Sequence, residues 1–464
     1  MLKSKVAPLA GAALLALTAP AMGVEALKVT LPTLEVQEHK LANGLQVLMY
    51  EDHSEPVTTV EVWYRVGSKD ERKGRSGFAH LFEHIMFKGS ANLGPDEHKN
   101  YISSIGGRHN ANTDFDRTLY YETFPANYLE RVLWMEADRM RSLDISDENI
   151  KSERDVVKEE RRLRVDNPPM MRLFEVMLEN AYTTHPYQKL PIGKMTDLDA
   201  ATLEDVRAFH STYYVPDNAT LIVAGDFDPF QAKKWVEKYF GPIPRGSKPV
   251  PRDIPPEPVQ TAERHATDYH PNTTLPALVF TYHMPKSGTP DVYALKVASY
   301  VLFFGNSSRL NQRMIYTKQM AIGVGGQTIA LQDPGVFFLY TILQPGQQPE
   351  AGEKEVLAEV SRLQEEPVTD DELAKAKNQL IAGLVFSRQT VLDKADAIGD
   401  AAVILGDLSL VNRHVAEYQK VTAADVQRVA RTYLKPENRT VVYMLPEAMR
   451  PGAKDAAPSE VKKP

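Results

Sequence analysis

Two histidines and a glutamate stand together in the run His80-Leu81-Phe82-Glu83-His84. Histidine and carboxylate are metal-binding residue types, and on a helix positions i and i+4 leave the same face. His80 and His84 can therefore hold one cation while Glu83 stands beside it as an acid or base. The order H-x-x-E-H is the inverse of the commoner zinc-site arrangement. Phe78, Leu81, Phe82, Ile85, Met86 and Phe87 make the segment apolar nearly all round, which predicts a buried helix. Three polar groups inside such surroundings need a partner, and a divalent cation supplies one.

A reactive zinc takes three protein ligands and keeps a fourth position for water. The chain contains no cysteine, which excludes disulfides, thiolate sites and a cysteine nucleophile, so the third ligand is expected to be a carboxylate. One helical segment offers it: Ser146 caps the start, Asn167-Pro168-Pro169 ends it, and Glu148, Glu153, Glu159 and Glu160 lie between. At about 100° per residue, Ile150, Val156, Val157 and Leu163 define an apolar stripe that takes in Glu153 and Glu160 but not Glu159. A carboxylate on a buried stripe needs a counter-charge. For Glu160 a metal is expected; for Glu153 an ion pair with Arg154, Arg161 or Arg164 serves equally well.

The elements that must position these groups belong to a chain of 464 residues, too long for one ordinary core, with 43% hydrophobic residues. Its 54 basic and 61 acidic side chains leave a net charge of -7, which argues against nucleic acid as a partner. Lys3 and Lys5, the apolar run Val6 to Thr18 and the small residues Ala19-Pro20-Ala21 read as an export signal over residues 1–21, cleaved near Ala21. The apolar run falls short of the ~20 residues a spanning helix needs, and no later stretch reads as a membrane span. A bacterial periplasmic or secreted protein is expected.

Seven prolines between Pro242 and Pro258 mark residues 242–260 as an extended connector. The halves it separates resemble each other: Thr202–Thr220 aligns without gaps on Thr422–Thr440 with eight identities, which points to duplication. In both copies a Thr N-cap opens a helix, x-Pro-x-Asn breaks it, and a β-branched run follows. Thr58 to Tyr64 and Leu278 to Tyr282 read as strands, and Asp370 to Asp393 as one long helix opened by the capping box Thr369-x-x-Glu372. The expected fold class is α+β. It comprises two similar duplicated domains, 35–241 and 261–446, each an antiparallel-rich sheet with helices packed on it, and a disordered tail over 447–464.

His80, Glu83, His84 and the distal Glu160, with Glu153 one helical repeat before it, together resemble the pitrilysin and insulinase family of zinc peptidases, in particular its short, processing-peptidase-like branch. Gly106-Gly107 with Asn110 to Thr113, His185-Pro186-Tyr187 to Gly193, and Tyr213 to Asp226 add to the likeness, which runs from about Glu35 to Pro446. The resemblance implies half of a clam-like chamber and one Zn2+ per chain held by His80, His84 and Glu160. It also implies Glu83 as general base toward a zinc-activated water, and Glu153 orienting a histidine. Asn110, Ala111, Asn112 and Thr113 would lie on an edge strand that pairs with a peptide substrate.

The pattern breaks in the second half. With Ser308-Arg309-Leu310 fixing the alignment, the family's Arg and Tyr positions hold Ile315 and Ile322, and the helix around Ala294 to Phe304 has no histidine. Loss of that pair removes donors aimed at developing charge, commonly worth a few kcal/mol in the barrier. The expectation is a zinc endopeptidase acting as the zinc-bearing member of a heterodimer whose homologous partner supplies the Arg/Tyr pair. The alternative is a zinc-bound but inactive scaffold or assembly subunit.

Overall fold

The computed structural model describes residues 29–452. The export signal over 1–21 lies outside the described residues, as does 453–464 of the expected tail. The first sheet is built from β1 (Gln37–Lys40), β2 (Gln46–Glu51), β3 (Val57–Tyr64), β4 (Arg108–Thr113), β5 (Thr118–Pro125) and β6 (Ala219–Gly225). The second contains β7 (Arg264–His270), β8 (Ala277–His283), β9 (Ala321–Ile329), β10 (Val336–Leu343) and β11 (Arg439–Pro446). Their orders are β1-β2-β6-β3-β5-β4 and β7-β11-β8-β10-β9. With β1 set aside, the two sheets have the same topology. Each is antiparallel except for one pair, β2 with β6 in the first and β7 with β11 in the second.

The repeated segment explains this sameness locally. Thr202 and Thr422 each accept the amide of the third helical residue, in capping boxes completed by Asp205 and Asp425. A short 3-10 turn follows at Pro216–Asn218 and at Pro436–Asn438, where proline cannot continue the helix. The chain then enters β6 or β11, the β-branched strand beside the sheet centre.

Each half covers the sheet of the other. The helix Pro169–Ala181 of the first half packs on β7, β8 and β11, burying Leu173, Val176 and Met177 against Val279 and Val442. The helix Val391–Gly399 of the second half lies on β3 and β6, burying Val391, Ala395 and Ile398 against Trp63 and Ile222. Gly399 allows that approach, because a Cβ there would meet the Trp63 ring at 2.2 Å. With both faces covered, β3 reads as a continuous buried run rather than an alternating one.

Three expectations are corrected. The helix opened by Thr369 ends at Phe386, and a second begins at Val391, because Thr390 and Asp393 form a new capping box that draws the backbone out of helical geometry. The tail does not begin at Glu447: Glu447–Met449 form a 3-10 turn whose carboxylate pairs with Arg450. The apolar stripe around Glu160 is only half buried. Ile150 and Val157 are enclosed, whereas Val156 is 47% and Leu163 61% exposed, the latter lying in a π-turn at Arg162–Asp166 that rotates it off the helix face.

Candidate metal centre

The His80-to-His84 run lies on the helix Phe78–Ile85, with Phe78, Ala79, Leu81, Phe82 and Ile85 buried. The helix starts at Gly77 in the left-handed region (φ 90°). The Glu71 carboxylate accepts the amides of Gly77 (3.0 Å) and Ala79 (2.9 Å), which fixes where the first turn begins. Burial nevertheless pushes Glu71 up to about 8. Residues 192–193 close on the same point, since a Cβ on Gly193 would stand 2.3 Å from the Gly77 nitrogen. Arg161 holds that loop through the Gly193 carbonyl (2.5 Å) and is itself paired with Glu175 (2.8 Å).

The helix Asp147–Arg161, capped by Ser146, packs directly on the first helix and brings in the carboxylates. Glu160 Oε2 lies 3.6 Å from His80 Nε2 and 3.3 Å from His84 Nε2. The rings of His80 and His84 stand 4.9 Å apart at 78°. Ligating atoms of all three residues fall within 4.8 Å of one another. For metal bonds of about 2.0–2.1 Å, tetrahedral ligands are separated by about 3.3 Å, so the spacing suits zinc, and a two-imidazole, one-carboxylate set is a zinc donor set.

The two histidines are shifted in opposite directions. Burial, and then the neighbouring His84, pull His80 down to about 4. Burial also opposes charge on His84, but its bonds to Glu153 and Glu160 outweigh this and push it up to about 9. The two glutamates thus favour positive charge on His84, while burial disfavours it on His80.

Glu153 is buried and accepts from His84 Nδ1 (3.3 Å) and Lys88 Nζ (2.7 Å). None of the three arginines weighed from sequence pairs with it: Arg164 bonds Glu160 (2.8 Å), and Arg161 is engaged with Glu175. Lys88 lies in the bend just past the end of the histidine helix, four residues after His84. Glu159 points outward to Arg162.

Glu83 is left out of the ligand cluster. Burial raises its pKa, and the Thr113 hydroxyl, donating at 2.6 Å, works against that rise. Strand β4 delivers this hydroxyl and, pairing only with β5, leaves its other edge unpaired among the described residues. Alternation sends Ala111 and Thr113 toward the histidine helix and Asn110 and Asn112 to the other face. The Ala111 side chain is buried, Asn110 bonds Tyr121, and Asn112 accepts from Arg117 (3.0 Å to its carbonyl). Of the four residues expected to meet substrate, Thr113 alone sends a polar side-chain atom toward the histidine helix. The Thr113–Glu83 bond was not legible in sequence, because the two residues are 30 positions apart.

In the second half, Ile315 is half-buried in the π-turn Asn311–Thr317 and Ile322 is 53% exposed on the edge strand β9. Neither offers a polar atom beyond its backbone. A second buried group, His98, Glu122 and Glu136, has ligand-like spacing. There Arg139 already bridges both carboxylates at 3.1 and 2.5 Å and supplies the positive charge itself.

Comparison with known proteins gives the same picture. Residues 46–193 match the profile of the insulinase family, peptidase family M16, and residues 200–380 match that of the peptidase M16 inactive domain. The chain is 33% identical over 409 residues to the zinc protease PqqE of Helicobacter pylori, covering 88% of this chain and 92% of that one. The crystal structure of a protease from Helicobacter pylori superposes with a TM-score of 0.85 at 32% identity, over 89% of this chain and all of the other. The periplasmic protease PqqL of Escherichia coli shares the fold at 18% identity and a TM-score of 0.73, covering 93% of this chain but 49% of its own.

Proposed function

Because the chain belongs to the insulinase family of peptidases, family M16, we propose that it is a zinc-dependent endopeptidase that hydrolyses peptides or unfolded segments. The observation that carries this reading is the convergence of His80, His84 and Glu160 with Glu83 beside them, bonded to Thr113 and not to the cluster. His80, His84 and Glu160 would hold the ion, with Glu153 fixing the His84 ring through Nδ1. When bound, zinc acts as a Lewis acid that polarises a carbonyl and acidifies water. Glu83 takes the proton of the attacking water and returns it to the leaving amine. The free edge of β4 receives the substrate backbone as an added strand.

The finer reading is a zinc-bearing subunit that works with a homologous partner carrying the Arg/Tyr pair absent at Ile315 and Ile322. A fold that fills only about half of the Escherichia coli protein is compatible with function in pairs of such units. Export through residues 1–21 to the periplasm or beyond belongs to the same proposal; among the described residues no helix is long and apolar enough to cross a membrane. The competing reading, a zinc-bound inactive scaffold, draws on the two isoleucines and on the inactive-domain match of the second half.

Glu83→Gln separates the two readings. The variant should bind zinc as the parent does and lose cleavage by roughly 10²- to 10⁴-fold; parental and variant chains that are equally inert with every partner would favour the scaffold. Mixing with a homologous subunit that carries Arg and Tyr should raise peptide turnover. Full turnover by the chain alone, unchanged on mixing, would reject the subunit proposal.

A further inference from the structure

The second half repeats the framework of the metal centre with different side chains. Gly89 (φ 105°) and Gly305 (φ 76°) each follow the helix facing the edge strand, and aligning them sets Lys296, Ser299 and Tyr300 opposite His80, Glu83 and His84. In the first half this helix and the end of β4 flank the cation cluster. In the second, the helix Pro290–Leu302 and the end of β9 flank a cavity of about 240 Å³. Lys296 enters it from the helix, Gln327 and Thr328 from β9, and Asp400 from a π-turn at Asp400–Ile404. Asp114, from the loop after β4, reaches in from the other half.

The charges in this cavity are not matched to each other. Lys296 and Asp400 influence one another electrostatically, yet neither side chain makes an ion pair or hydrogen bond with another described residue. Lys296 is half-buried and Asp400 keeps an exposed surface; the protein around them pulls the ammonium down and pushes the carboxyl up. Both line the cavity without bonding to each other, with Arg117 adding positive and Asp114 negative potential at Asp400, so a cation and an anion are open to a ligand there. Histidine chemistry is absent from the position opposite His80, and the ammonium there opposes a metal ion. His414 does line the cavity, but its Nδ1 is engaged with the Tyr293 hydroxyl at 3.0 Å and burial keeps the ring neutral, down to about 4.

We infer that this cavity binds a small zwitterion, a free amino acid or dipeptide, with its carboxylate on Lys296 and its ammonium on Asp400 and Asp114. Gln327, Thr328 and Ser287 supply polar atoms to the rest of the ligand, and the volume, just below the usual range for ligand pockets, restricts the site to a small one. The inference stands whether or not the chain hydrolyses peptides, because none of these residues belongs to the cluster around Glu160.

Calorimetric titration of the full chain with L-alanyl-L-alanine tests it, with N-acetyl-L-alanine and L-alaninamide as probes lacking one charge each. Saturable binding of the dipeptide is expected, weakened at least about tenfold, or 1.4 kcal/mol, for either blocked probe. Lys296→Met should erase the penalty for the missing carboxylate and Asp400→Asn the penalty for the missing ammonium. No saturable binding, binding indifferent to blocking either terminus, or binding unchanged in both variants would overturn the assignment. Should Lys296→Met fail to fold, Asp400→Asn at the open wall of the cavity decides by the same readout.

Discussion

At the scale of single residues, the acidity of Glu83 is set by a contest between burial, which favours its neutral form, and the Thr113 hydroxyl, which favours the carboxylate. A general base must be ionised to take a proton. Thr113→Val removes the bond and keeps the shape, so the Glu83 pKa should rise, and the acidic limb of the pH profile of kcat should move to higher pH. Zinc content should not change. An unmoved limb would mean that Thr113 does not set the base. The grouping of Glu83 with two histidines was legible from their spacing, and the candidacy of Glu160 from its place on a half-buried stripe. The hydroxyl that tunes Glu83 was not, because β4 and the helix meet only in the folded chain.

At the scale of elements, the site depends on a contact between backbones. Gly77 starts the histidine helix, and Gly193 lies so close behind it that no side chain fits between them. Gly193 also has φ 72°, a conformation that side chains disfavour. Gly193→Ala should therefore destabilise the chain by about 1–3 kcal/mol in denaturant titrations and lower zinc retention on dialysis, because the helix start must shift. Unchanged stability and zinc content would show that the loop does not position the helix. Periodicity and caps had identified the helices at Ser146, Thr202, Thr369 and Thr422. The break at Ser387–Thr390 escaped because Thr390-x-x-Asp393 sits inside an otherwise helical pattern, and the π-turn after Arg161 because no local signal marks it.

At the scale of the molecule, the halves are joined by a polar clasp as well as by exchanged helices. The loop at Gln332-Asp333 reaches from the second half into the first, where Lys69 bonds Asp116 (2.9 Å) and Asp333 (3.2 Å) and Asp116 accepts the Gln332 amide (2.8 Å). His185, and then Lys69, hold Asp333 down to about 2. A lowered folded pKa gives stability that is present above the ordinary value of about 4 and lost as pH falls toward 2. Asp333→Asn should lower Tm at pH 7 and flatten its fall between about pH 4 and 2, modestly, since the carboxylate is 39% exposed. A parallel fall in both chains would remove the clasp from the account of acid sensitivity. The connector takes part too: Glu257 accepts the amides of Thr183, Thr184 and His185, which holds this proline-rich segment against the first half.

Sequence by itself determined the candidate metal cluster, the duplication and the α+β class. These rest on residue identity at short spacing: four positions for the histidine pair, seven for the two glutamates, nineteen for the repeat. Each such signal survives without knowledge of what packs where, because helical and strand periodicity are local properties of the backbone. Tertiary structure alone decided which hydroxyl touches Glu83, which cation meets Glu153, how each half roofs the sheet of the other, and that Lys296 and Asp400 share a cavity. Those pairings join residues tens to hundreds of positions apart, and only packing fixes the distances on which charge interactions depend.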